Sequence, residues 1–132
     1  MYVYKKETKL SFEEAVDKVK EELKKKGFGV LSEIRIDKLF KEKFDLDMGK
    51  YVILGACNPK FSSQLIEIDY DSGAFLPCNL LIYSKDRKTY VSTLPPTKAM
   101  KVAENEKLLK VAGQVEEILK KLLIKFNFFI LC

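Results

Sequence analysis

Residues 51–57 read Tyr-Val-Ile-Leu-Gly-Ala-Cys, seven positions without a charge, and Asn58-Pro59 follows them directly. Unbroken apolarity over this length predicts a strand covered on both faces, and so the centre of a sheet. Asn58 is a preferred helix cap, and Pro59 suits the first helical position, where its missing N–H leaves nothing unpaired. A short helix is therefore predicted to begin at the end of the buried strand and to stop near Ile66.

The flanking sequence reads as further strands and helices. Tyr2 to Lys6 alternates aromatic and polar groups, as a strand does, and Ser11 with Glu14 forms the capping-box pattern that opens a helix. Phe12, Ala15, Val16, Val19 and Leu23 then share one helical face, and Gly27 ends the helix after Lys24-Lys25-Lys26. Phe28, Val30, Ile34 and Ile36 alternate with Gly29, Glu33, Arg35 and Asp37, the period of a strand with one wet face. Asp37 is expected to cap a short helical turn through Phe44, and residues 45–50 form a loop. After the Pro59 helix, Asp71-Ser72-Gly73 turns the chain. Ala74 to Tyr83 forms an apolar strand interrupted at Pro77, and a polar turn over residues 85–88 leads to a strand from Thr89 to Leu94 that Pro95-Pro96 closes. The stripe Leu108, Val111, Ala112, Val115, Ile118, Leu119 and Leu122 marks a long terminal helix capped by Asn105. This order predicts an α+β fold with helices on one face of a largely antiparallel sheet, since the Pro59 helix is too short for a parallel crossover.

Composition bounds the function. At 132 residues the chain is expected to form a single domain with one core. Its formal charge of +5 arises from lysines spread along the chain and preceded by acids, which predicts a mixed, solvated surface and no nucleic-acid partner. High Lys and Glu usage fits a heat-adapted, thermophile host. There is no histidine, which excludes Ser-His-Asp and Cys-His catalysis and His metal ligation. Cys57, Cys78 and Cys132 are an odd count with no CxxC, so neither a disulfide scaffold nor a zinc ribbon is expected, and the reducing cytoplasm is the expected location. The N-terminus turns charged after four residues, unlike a signal peptide. The tail, residues 122–132, is apolar apart from Lys125 and Asn127 and too short to span a bilayer, so no transmembrane segment is expected. It reads as a helix end buried in the core or in a dimer contact.

Chemistry concentrates at Gly55-Ala56-Cys57-Asn58-Pro59. A thiol at a strand end, directly before a helix N-terminus with unpaired N–H groups, has the setting that lowers a thiol pKa or holds an anion. Gly55 allows close approach to the backbone. In Leu76-Pro77-Cys78-Asn79 the proline bends a strand, and antiparallel pairing of the two strands would place Cys57, Asn58, Cys78 and Asn79 at one site. The competing reading is a pair of small buried hydrophobes beside a well-capped helix.

These two motifs, Gly-Ala-Cys-Asn-Pro and Leu-Pro-Cys-Asn, with the order of elements around them, resemble the signature of the domain of unknown function 302 family. The resemblance implies a curved antiparallel sheet with flanking helices, in the broad class of the TATA-box-binding-protein domain (β-α-β4-α), and it implies no activity or cofactor. Lys60-Phe61-Ser62-Ser63 and the Phe-rich tail depart from the pattern. Three functions follow as expectations. One is a module binding a small anionic or thiol-reactive ligand, another a redox enzyme or sensor using Cys57 and Cys78 without a metal, and the third a homodimer in which the cysteines only pack.

Overall fold

A computed structural model describes residues 1–126. Five strands, β1 (Tyr4–Thr8), β2 (Gly29–Arg35), β3 (Tyr51–Cys57), β4 (Cys78–Lys85) and β5 (Lys88–Thr93), form one sheet in the order β1-β5-β4-β3-β2. Every neighbouring pair is antiparallel. The helices are α1 (Phe12–Lys25), α2 (Ile36–Phe44), α3 (Pro59–Ile68), α4 (Pro96–Met100) and α5 (Glu106–Ile124), with 3₁₀ segments over Tyr70–Phe75 and Lys101–Ala103. The predicted α+β class and antiparallel sheet are what the chain forms.

One face of the sheet makes the core. Val52, Leu54, Ala56, Leu80, Ile82 and Val91 are fully buried, and α1 and α5 cover them with Val19, Leu23, Leu108, Leu119 and Leu122. Removing each of the Val, Leu and Ile side chains from water is worth about 1.5–3 kcal/mol, so this layer dominates the stability. The capping box of α1 is complete: Glu14 N–H donates to Ser11 Oγ and Ser11 N–H to Glu14 Oε1. Gly27, at φ 85, follows the end of α1 in the left-handed region. Asn105 caps α5 through the N–H groups of Lys107 and Leu108.

Several expectations require correction. β3 is neither central nor covered on both sides; β4 holds the centre, because its tight hairpin to β5 and its pairing with β3 place it between them. The far face stays open, and on it Tyr51 stacks on Tyr83 at 5.3 Å and Tyr90 lies against Tyr83 at 5.3 Å, tilted by 31°, with the Lys5 ammonium over the last two rings. This cross-strand ladder half-buries side chains that would otherwise need a second helical layer. Residues 74–83 are not one strand: the 3₁₀ segment runs to Phe75 and β4 starts at Cys78, because Pro77 has no N–H to give a ladder. Asp37 does not cap α2. Arg35 stands at the cap position without a side-chain capping bond, and Asp37 pairs with its guanidinium at 2.8 Å instead. Pro95-Pro96 closes β5 and also opens α4, which had no apolar period long enough to announce it. The C-terminal helix buries Leu122 and Leu123 in the core, Phe126 in the turn after it is buried as well, and the remainder of the tail, residues 127–132, lies outside the described residues.

Candidate functional site

The pairing of β3 with β4 sets Ala56 opposite Cys78 and Gly55 opposite Asn79. Side chains alternate along a strand, so Cys78 points to the core side with Ala56, and Asn79 to the open side with Gly55. Cys57 closes β3, and its thiol donates to Ser62 Oγ on the first turns of α3 at 3.2 Å. Cys57, Asn58 and Cys78 line one small cavity of about 20 Å³, together with Phe61, Leu76 and Met100. That volume is about one water molecule. Asn79 is exposed and does not reach the cavity.

Asn58 serves the scaffold. Its Oδ1 accepts from Lys60 N–H at 3.2 Å, and its Nδ2 donates to the Lys26 carbonyl at 3.2 Å, tying the start of α3 to the end of α1. Its own carbonyl accepts from Phe61 and Ser62, and Pro59 has no N–H. The first donors of α3 are thus already engaged, which distinguishes this helix start from an open anion cradle. Gly55 is buried because Pro77 lies over it: a Cβ there would come within 2.8 Å of Pro77 Cγ and would also strike Ser32 Oγ. The Leu76–Pro77 peptide is cis.

On its outer side Cys78 borders a larger cleft of about 430 Å³ between β4, the Leu76-Pro77 bend, α4 and the N-terminal Tyr2-Val3. Leu81, Leu94, Ala99 and Met100 make its walls apolar, and Asn79 stands at its edge. Burial pushes the Cys78 thiol up to about 11, with the neighbouring Cys57 adding to the shift. At neutral pH Cys78 is therefore a neutral, polarisable sulfur and a poor nucleophile. Among the described residues no three Cys, Asp or Glu side chains gather into a group able to hold a metal ion.

Sequence reasoning found the cysteine motifs but missed α4, whose Ala99 and Met100 wall the cleft, and the N-terminal Tyr2-Val3 across from them. Pro at the first helical position was the available signal for α4. It also missed Glu116, nearly buried, which accepts from Thr97 N–H at 3.0 Å and from Tyr4 OH at 3.1 Å. No helix among the described residues is long and apolar enough to cross a membrane.

An open-faced antiparallel sheet with helices on its other face, and two cysteines at the junction of β3, α3 and β4, defines a class of small α+β proteins. The chain belongs to the family described as Domain of unknown function DUF302, whose model matches residues 4–126. It is similar to a solved structure, the uncharacterized conserved protein DUF302 from Bacillus stearothermophilus, at 28% identity and a TM-score of 0.91, over 96% of this chain and 99% of that one. No curated protein matches the chain.

Proposed function

We propose that this protein is a binding module that takes a small, mainly apolar molecule into the cleft beside Cys78, where the neutral thiol and Asn79 supply the polar contacts. The observation that carries this reading is the cleft itself. Its volume of about 430 Å³ and apolar walls with a few polar groups at one side are the features of small-molecule sites. The absence of histidine from the chain suits binding without a general base. The engaged donors at the start of α3 favour an apolar ligand that contacts sulfur over an anionic one.

Reagent selectivity at Cys78 tests it. N-phenylmaleimide is compared at pH 9 with a charged maleimide of similar size, and the modified residue is located by mass spectrometry. Seating the phenyl ring in the cleft is expected to favour the apolar reagent at Cys78 by about tenfold over the same ratio for free cysteine, the equivalent of roughly 1.4 kcal/mol of burial. Ala99→Phe, which fills the cleft, is expected to abolish the preference while leaving the melting temperature near wild type. A ratio equal to that of free cysteine would exclude the cleft as an apolar site.

A second reading has one observation in its favour, the shared cavity of Cys57 and Cys78. Joining the two sulfurs would transfer two electrons and two protons to a peroxide or disulfide oxidant. Burial holds Cys78 as a thiol, so binding ranks ahead of redox chemistry.

A further inference from the structure

We propose that the ligand of the Cys78 cleft is a single-chain carboxylate, with its hydrocarbon tail in that cleft and its charged head at Lys5 and Tyr83 on the open face of the sheet. The proposal rests on the binding reading above and names the chemical class that the site takes.

A second cleft, of about 550 Å³, lies on the open face beside the tyrosine ladder. It adjoins the Cys78 cleft, because Tyr2, Val3 and Leu81 line both. Asn79, Leu81 and Tyr83 alternate onto this face of β4, so the two clefts follow one another along the strand. Asn79 at the edge of the first cleft and Tyr83 in the second are about 13 Å apart along the strand. An extended chain fits such a path better than a compact molecule does.

The two ends differ in chemistry. The first is walled by Leu81, Leu94, Ala99 and Met100. The second carries Lys5, Lys85, Ser92 and the phenols of Tyr51 and Tyr83, and no carboxylate lines it. Glu7, on the same face of β1, faces Lys88 at 3.8 Å, and Asp47 faces Lys41 at 3.2 Å. Lys5 and Lys85 have no carboxylate partner among the described residues.

The seat for the head group is a pair of donors. Lys5 Nζ donates to Tyr83 Oη at 3.0 Å. The phenol accepts that bond and keeps its own proton, which among the described residues it donates to no acceptor. An ammonium and a phenolic O–H side by side match the two oxygens of a carboxylate, and Lys85 adds a second positive charge to the cleft. The donors at the start of α3 are engaged, so the head group is not held there.

Equilibrium dialysis of the full chain at neutral pH against decanoate and decanol, each below its aggregation concentration, tests the proposal. Decanoate is expected to bind at least about tenfold more tightly than decanol, although decanol is the more hydrophobic. Lys5→Gln, at an exposed position, is expected to remove that advantage without changing decanol binding. Lys110→Gln, exposed on α5, is expected to change neither. Ala99→Phe is expected to abolish binding of both. Equal affinities for the two ligands, both lost in Ala99→Phe, would overturn the charged head and leave the apolar cleft standing. Failure of both to bind, or binding that survives Ala99→Phe, would overturn the proposal together with the cleft reading. An advantage lost equally in Lys110→Gln would overturn it too, as attraction to net charge alone.

Discussion

Cys78 stands where the proline bend meets the sheet, and its thiol keeps its proton to about pH 11 because the charged form would be stranded among apolar groups. The sign follows from linkage. A folded-state pKa above the ordinary thiol value of 9.0 gives stability that is fully present below pH 9 and is lost as pH rises toward 11. Two pH units correspond to at most about 2–3 kcal/mol. Urea unfolding of the native chain is thus expected to show a loss of this order between pH 9 and 11 that Cys78→Ala lacks. Parallel curves for the two proteins would show that burial does not govern this thiol. Gly55 and Ser72 are constrained in different ways. Gly55 is dictated by the proline ring above it. Ser72 is completely buried and its hydroxyl has no hydrogen-bond partner among the described residues, a cost of about 1–3 kcal/mol that the surrounding packing sustains.

Among the elements, α4 illustrates how a five-residue helix is held by a neighbour. No side chain of its own caps it. Glu116 on α5 does so, with its carboxylate accepting from Thr97 N–H and Oγ1, from Tyr4 OH, and facing Lys120 at 3.7 Å. Burial pushes the Glu116 pKa up, but the bonds from Thr97 and Tyr4 and the Lys120 charge outweigh it and hold the value below the usual carboxylate range. The stability it contributes is present above the ordinary value of 4.5 and is lost as pH falls through the lowered one. Glu116→Gln is expected to cost about 1–2 kcal/mol at neutral pH, with the gap to the native chain closing in acid. Chemical denaturation at pH 7 and pH 3 measures both, and a gap that stays constant would show that charge plays no part. The same pattern, one side chain serving two elements, recurs at Asn58, which joins the end of α1 to the start of α3.

On the scale of the whole molecule, burial is unevenly distributed. The face of β3, β4 and β5 under α1 and α5 holds the core, while the opposite face carries the tyrosine ladder and α2 buries nothing. Local opening follows local burial. Native-state hydrogen exchange is expected to find the amides of α2 opening at least about 2 kcal/mol below those of β4 and α5. Equal protection would mean that α2 is held by contacts the buried core does not provide.

Much of this architecture is written in local chemistry. The capping box at Ser11 and Glu14, Asn58-Pro59, Asn105 and the apolar stripes of α1 and α5 each specify a start or a buried face by themselves, because caps and helical periods act over a few residues. The two cysteine motifs were legible in the same way, and antiparallel pairing brings Cys57, Asn58 and Cys78 around one cavity. What the neighbours of each strand would be was not local. An unbroken apolar run cannot distinguish a strand covered by helices from one covered by an aromatic ladder, so β3 read as central when β4 is. The direction of Asn79, the wall that α4 gives the cleft and the cap that Glu116 gives α4 all join residues far apart in the chain. The sequence alone determined the helix ends, the class of fold and the thiol-bearing motifs, through forces that act between near neighbours. Only the tertiary structure decided which face stays open, which thiol is buried and what encloses the cleft, because burial depends on segments that meet only when the chain is folded.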